Sequence, residues 1–368
     1  MHRSLLTCVF LFVAAADAAA AARPMGIIPP AGEQTVAFDI NAAGQAAVVL
    51  EDEDGYQRAV LYQNGKLTEL GSLGGKFSDA KAINDRGEII GSARTDEGKW
   101  RAFLFDRTHG MRALGTLGGR SSYGMALNQQ GIAVGFADTD NDQWHAFVQT
   151  ADGEMKDLGT LGGKVSYASG INNHGQVVGT AALPDGWRHA FLYDPAHGMV
   201  DLGTLGGRLS SATAINDAGV IVGASETKDR RWHAFVYDGK RMVDLGAKIG
   251  YGDSFATDIN SAGHVVGTVL VNDERMSFVW RDNKMTVHRG GLGLHLTNSI
   301  TDKGLVVGAT YDKRMDAATM RSSALPVIPR PGNEMILMIG LVLATTGAVV
   351  VYRKRYRGIW LLNFNRVE

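Results

Sequence analysis

Short apolar segments separated by glycine-marked turns recur along most of the chain. Within residues 212–245, four such segments have strand character: 212–216, 220–224, 233–237 and 241–245. The breaks between them carry turn chemistry. Asn216-Asp217-Ala218-Gly219 suits a tight hairpin, 225–231 reads as a polar loop, and Asp238-Gly239 suits a two-residue hairpin turn. A 3.6-residue apolar period is absent from this part of the chain, so the pattern predicts antiparallel strands and no helix.

The same unit returns about every 44 residues. Its first anchor is Ile-Asn-x-x-Gly, ending at Gly44, Gly87, Gly131, Gly175, Gly219 and Gly263, with a degraded copy, Ile300-Thr301, ending at Gly304. The second precedes an apolar position, at Arg58-Ala59, Arg101-Ala102, His145-Ala146, His189-Ala190, His233-Ala234 and Met276-Ser277. The third is Leu-Gly-x-Leu-Gly-Gly, clear at 70–75, 114–119, 158–163 and 202–207 and decayed at 245–250. Three anchors in phase predict an all-β fold, a β-propeller of about seven four-stranded blades. An open β-solenoid is the alternative. The seventh unit lacks a fourth strand and has only a poor third candidate at 320–324. Met25-Gly26-Ile27-Ile28 is expected to complete that blade and close the ring.

Composition changes the picture mainly through glycine. With 47 glycines but 8 prolines and no Gly-X-Y register, collagen is excluded, and 45% hydrophobic residues with a net charge of −1 exclude long disorder. The near-neutral balance also argues against a nucleic-acid partner. Gly87, Gly131, Gly175, Gly219 and Gly263 read as structural, closing a hairpin at positive φ. A second glycine, at 91, 135, 179, 223, 267 and 308, falls inside an apolar strand and predicts a close backbone approach, expected where blades converge on the axis.

The two ends differ from the repeats. Residues 1–22 read as a cleaved secretory signal, with Arg3, an apolar run over 5–15 and small residues at Ala20-Ala21-Ala22. Cys8, the single cysteine, falls inside it, so the exported chain would hold neither disulfide nor thiolate metal site. Residues 23–326 are then the seven-repeat ectodomain and 327–334 a linker. The uncharged run 335–352 reads as a transmembrane helix, and 353–368, beginning Arg353-Lys354-Arg355, as a basic cytoplasmic tail.

Candidate chemistry is sparse. The Gly-Gly-Lys triplets at 74–76 and 162–164 lack phosphate-loop spacing and a following helix, and read instead as blade connections whose leucines fill the gap between sheets. His145, His189 and His233 share a slot with Arg58, Arg101 and Met276, which points to hydrogen bonding between strands or blades and not to a metal. Trp100, Trp144 and Trp232 precede that slot and Trp187 lies one residue further out. Packing between blades is one reading; stacking on a sugar or partner is the other. The acidic loops 51–54 and 138–142 invite calcium but lack the full loop signature. No catalytic residue, metal ligand or cofactor is assigned.

His189-Ala190-Phe191-Leu192-Tyr193, the run 198–207 and Gly170-Ile171-Asn172-Asn173-His174-Gly175-Gln176-Val177-Val178-Gly179 resemble the HAF-repeat family of extracellular bacterial proteins. The resemblance covers roughly residues 35–310 and implies a surface or secreted protein of unassigned biochemical role. The C-terminal segment is similar to a PEP-CTERM sorting signal. However, Ile328-Pro329-Arg330-Pro331-Gly332 carries arginine where that motif has glutamate, and the chain runs on past the basic cluster to Glu368. Together these readings predict an exported, monomeric, non-enzymatic binding or scaffolding module. It would be anchored in the inner membrane with the ectodomain outside, or at the cell surface after exosortase-type processing, with an unidentified protein or glycan as partner. The alternatives are a lectin-like propeller using the four tryptophans and a hydrolase with its site in the central channel.

Overall fold

Six of the repeats fold as four antiparallel strands in sequence order, because their hairpin turns are too short for any other connection. The computed structural model describes residues 9–13, 25–27, 34–52, 54–150, 153–248, 252–271, 274–288 and 296–309. Six four-stranded blades are continuous meanders, over 34–69, 74–113, 118–157, 166–201, 206–244 and 254–288. A seventh four-stranded sheet draws on both ends of the chain: Leu296–Ile300, Leu305–Ala309, Val9–Val13 and, outermost, Met25–Ile27. The first strand of every sheet touches the first strand of the next, and Leu296–Ile300 touches Gln34–Ile40. These first strands therefore form the inner wall of a ring, the geometry of a β-propeller.

Met25–Ile27 thus lies in the sheet it was expected to complete, but the strand between it and Leu305–Ala309 comes from Val9–Val13, inside the segment read as a leader. The expected third candidate at 320–324, the linker, the span 335–352 and the basic tail lie outside the described residues. Among the described residues no helix is long and apolar enough to cross a membrane. The only helical turn among them is Gly246–Lys248, where the third anchor has decayed.

The hairpin glycines behave as expected. Gly44, Gly87, Gly131, Gly175, Gly219, Gly263 and Gly304 all have φ between 76° and 79°, and each N–H donates to the residue three back. First strands start earlier than the sequence suggested. In blade 5 the strand begins at Gly206, which pairs with Thr227 at φ 105°, and residues 207–209 arch out before pairing resumes at Ser210. The strand glycines are crowded for a different reason from the one expected. A Cβ on Gly179 would lie 2.0 Å from the Tyr167 carbonyl oxygen and 2.9 Å from Phe191, both within the same blade. The cause is a bulge in the first strand of every sheet, after Ala37, Ala80, Gly124, Ala168, Ala212, Ala256 and Thr297.

Core packing repeats blade by blade. Phe103, Phe147, Phe191, Phe235 and Phe278, from the third strands, are fully buried, and Leu70, Leu158, Leu202 and Leu245 seal the gaps between sheets. Polar staples tie the blades together. The N–H groups of Ala59, Ala102, Ala146, Ala190 and Ala234 donate to Ser78, Ser122, Ser166, Ser210 and Ser254 of the following blade, at 2.8–3.0 Å. A second ladder runs through the anchor asparagines. The Nδ2 groups of Asn41, Asn84, Asn128, Asn172, Asn216 and Asn260 each donate to the backbone oxygen of the equivalent residue one blade on, at 3.0–3.2 Å, the last reaching Thr301.

The step from Thr301 back to Asn41 has no amide to continue that ladder. A carboxylate cluster sits nearby instead. The Ser299 hydroxyl lies 2.7 Å from Asp39 of blade 1 and 2.9 Å from Asp258 of blade 6, and Asn298 donates to the Ala37 oxygen at 2.8 Å. Asp39 also accepts from the Ile83 N–H and Asp258 from the Ile300 N–H, each bridging to the next blade. Burial raises the Asp39 carboxyl despite these bonds. Burial, and then the Asp39 charge, push Asp258 up to about 7. One hydroxyl proton cannot serve two carboxylates, so a further proton on the pair completes the cluster.

Candidate functional site

In a four-stranded meander the second-to-third turn and the connection to the next blade leave from the same end. That end forms a loop face, and the sequence places its larger aromatic residues there. Tyr56, in the second-to-third loop of blade 1, meets Phe77 of blade 2 edge-on with centroids 5.2 Å apart. The Arg94 guanidinium lies 5.4 Å from both Phe77 and Trp100. Trp100 is 5.7 Å from Tyr123 of blade 3, and Tyr123 packs with Phe136 at 5.1 Å and Trp144 at 5.6 Å. Phe136 meets Tyr167 of blade 4 at 5.1 Å, and Arg188 lies 5.8 Å from the Tyr167 ring. A continuous row of rings and guanidinium groups thus crosses four blades, with Trp100, Tyr123, Phe136 and Trp144 half-buried and Tyr167 buried.

Of the four tryptophans singled out by sequence, Trp100 and Trp144 belong to this row and are joined through Tyr123. Trp187 and Trp232 do not join it: Trp187 lies under Arg208 at 4.8 Å, and Trp232 stacks on Phe255 at 6.1 Å. Sequence reasoning did not single out Tyr123, Phe136 and Tyr167, because they fall within strands and not in loops.

At the blade 1 end of the row an open pocket of about 410 Å³ is lined by Asp52, Tyr56, Arg58, Glu69, Lys76 and Ser78, among others. Arg58 is held there by Glu69 at 2.6 Å, and the Lys76 ammonium lies 5.0 Å from the Tyr56 ring. Further along, Asp138 is pushed up to about 6 by burial and then by the Asp142 carboxylate, against the N–H groups of Ser121 and Arg120. Its loop is therefore tied into the blade connection. Among the described residues no group of three or more His, Cys, Asp or Glu side chains could hold a metal ion.

His145, His189 and His233 link the third and fourth strands of their own blades. Their Nδ1 atoms lie 2.8–3.0 Å from Asp157, Asp201 and Asp244. Arg58 and Glu69 make the equivalent link in blade 1. Burial pushes the Asp157 carboxyl up, but the His145 bond, the Gly159 N–H and the His145 charge together outweigh it and hold the group below its usual range. Gly87, Gly131, Gly175, Gly219 and Gly263 close turns at the opposite end of the blades, away from the aromatic row.

No protein-family model matches the sequence, and comparison with curated proteins finds no match. Among solved structures, the fold is similar to a protein assigned as TolB from Agrobacterium tumefaciens. Identity is 14% over 83% of this chain and 98% of that one, with a TM-score of 0.50. TolB from Acinetobacter baumannii aligns at 13% identity and TM-score 0.45, over 66% of this chain and 63% of its own length. The β-propeller domain of a Pyrococcus furiosus protease aligns at 13% identity and TM-score 0.48, over 69% of this chain and 84% of that one. At such identities the first likeness bears on the fold alone, and it agrees with the propeller architecture.

Proposed function

We propose that the chain is an exported, non-enzymatic propeller whose loop face over blades 1–4 is a recognition surface for a glycan. The observation that carries this reading is the row from Tyr56 through Trp100, Tyr123 and Trp144 to Tyr167. Half-buried rings held by neighbouring rings are rigid, so a ligand that stacks on them meets a surface already in place. Sugar rings, with their flat C–H faces, suit such stations, and the exposed Asp96 and Asp140 beside the row offer acceptors for hydroxyl groups. The resemblance to HAF repeats supports placement outside the cytoplasm. Retention on residues 335–352 or release after sorting are the two fates proposed for the C-terminal end.

The test is a glycan array probed with the purified protein and with Trp144→Ala and Trp100→Ala. The expected result is binding to a restricted set of glycans that falls at least tenfold in each variant while Trp232→Ala retains it. Binding that survives both substitutions removes the row as the surface.

A further inference from the structure

One more residue type recurs on the loop face. Each clear Leu-Gly-x-Leu-Gly-Gly segment is followed immediately by a base: Lys76, Arg120, Lys164 and Arg208. All four are exposed, and all four stand at the same position where the chain arrives from one blade at the first strand of the next. At two of these junctions the base lies over a ring from the preceding blade, Lys76 over Tyr56 at 5.0 Å and Arg208 over Trp187 at 4.8 Å. Tyr56 and Trp187 occupy the same slot, two residues before Arg58 and His189. The pairing of a cation with a flat ring is therefore repeated, and Trp100, Tyr123 and Trp144 lie between its two occurrences. Among the described residues none of the four bases makes an ion pair, in contrast to Arg58 with Glu69 or Arg86 with Glu88.

We infer that this arc binds an acidic polysaccharide, with sugar rings on the aromatic stations and anionic groups of the polymer against Lys76, Arg120, Lys164 and Arg208. The inference rests on the glycan reading above and adds the charge and length of the ligand. A small anion would engage one junction. Four equivalent bases on four consecutive junctions fit a chain whose charges also recur. The spacing of charge on that chain must be sparse, because exposed Asp54, Asp96, Glu97, Asp140, Asp142 and Asp185 are interspersed with the bases along the same face. A uronate-bearing polymer, with one charge per one or two sugars, meets that condition better than a polynucleotide with a charge on every unit.

The experiment titrates the full-length protein with polygalacturonate, alginate and hyaluronan, and in parallel with neutral dextran and glucomannan and with oligothymidine. Each titration is repeated in low and high salt and with the quadruple variant K76Q/R120Q/K164Q/R208Q. The expected result is preferential binding of at least one acidic polysaccharide, weakened by salt and reduced roughly tenfold in the variant, as four exposed charge contacts together would give. A thermal melt of the variant matching the native protein ties that loss to charge and not to folding; Lys76→Arg with Lys164→Arg, which keep the charge, should restore binding when only Arg120 and Arg208 are left native. Acidic binding that the quadruple variant retains, or binding of neutral polymers alone, overturns the inference and leaves the glycan surface standing. No binding to any polysaccharide overturns both readings, and preference for oligothymidine overturns the choice of ligand.

Discussion

The carboxylate pair where blade 6, the seventh sheet and blade 1 meet predicts a stability that falls with rising pH. Asp258 is held at about 7 in the folded chain and would titrate near its ordinary value of 3.8 once unfolded. Because the folded value is the higher one, the contribution is fully present below about pH 4 and is lost as pH rises through about 7. One proton bound only by the folded state gives a slope of at most about 1.4 kcal/mol per pH unit. Both aspartates keep part of their surface accessible, so solvent screening reduces the loss between pH 5 and 8 to about 1–2 kcal/mol. The assay is urea unfolding of the native protein and of Asp258→Asn across that range. Asparagine carries no titrating proton, and all groups outside the pair are common to both proteins. The native midpoint should drop more steeply with pH than that of the variant, by about 1–2 kcal/mol in total. Equal slopes would refute the shared-proton account of Ser299, Asp39 and Asp258.

Three further outcomes follow from the repeated interfaces. Gly179→Ala places a Cβ 2.0 Å from the Tyr167 oxygen, which must move by about an ångström or more, so denaturant unfolding should show a loss of at least about 1–3 kcal/mol. Thr301→Asn supplies the amide that the ladder lacks at the last step; a gain of about 1 kcal/mol in the same assay is expected, and no gain means that this gap is wider than the other six. Deleting residues 25–28 removes the outer strand of the seventh sheet and should lower the melting temperature by several degrees, whereas an unchanged melt would show that the ring is held without it.

Architecture was legible because the repeat multiplied weak signals. A single Asn-x-x-Gly is an ordinary turn, but six in phase, with Thr301 to Gly304 as a degraded seventh, predict hairpins that the structure shows at nearly one φ value. The seventh sheet was readable only in part: strand character at 25–28 was visible, while Val9–Val13 was read for its apolar, leader-like composition, which a strand and a signal share. The asparagine and serine staples escaped notice because their partners lie about 44 and 20 residues away, distances that no turn rule covers. The aromatic row was half legible. Loop tryptophans stand out in a sequence, whereas Tyr123, Phe136 and Tyr167 look like ordinary strand residues until neighbouring blades bring them together. The crowded strand glycines were recognised for their rarity in strands, but the bulge that crowds them is a register shift, which leaves no compositional trace.

The asparagine ladder also bears on how such a ring can change in size. At each of the five junctions from blade 1 to blade 6 the preceding blade offers the incoming one the same two partners, a backbone N–H for its serine and an asparagine amide for its backbone oxygen. A duplicated 44-residue unit inserted at an internal junction would find matching partners on both sides without a single compensating substitution. Only the curvature would have to adjust, and the adjustment would fall on the junction where Thr301 interrupts the pattern. The same regularity that stabilises the ring thus leaves its blade number open to change by whole-unit recombination.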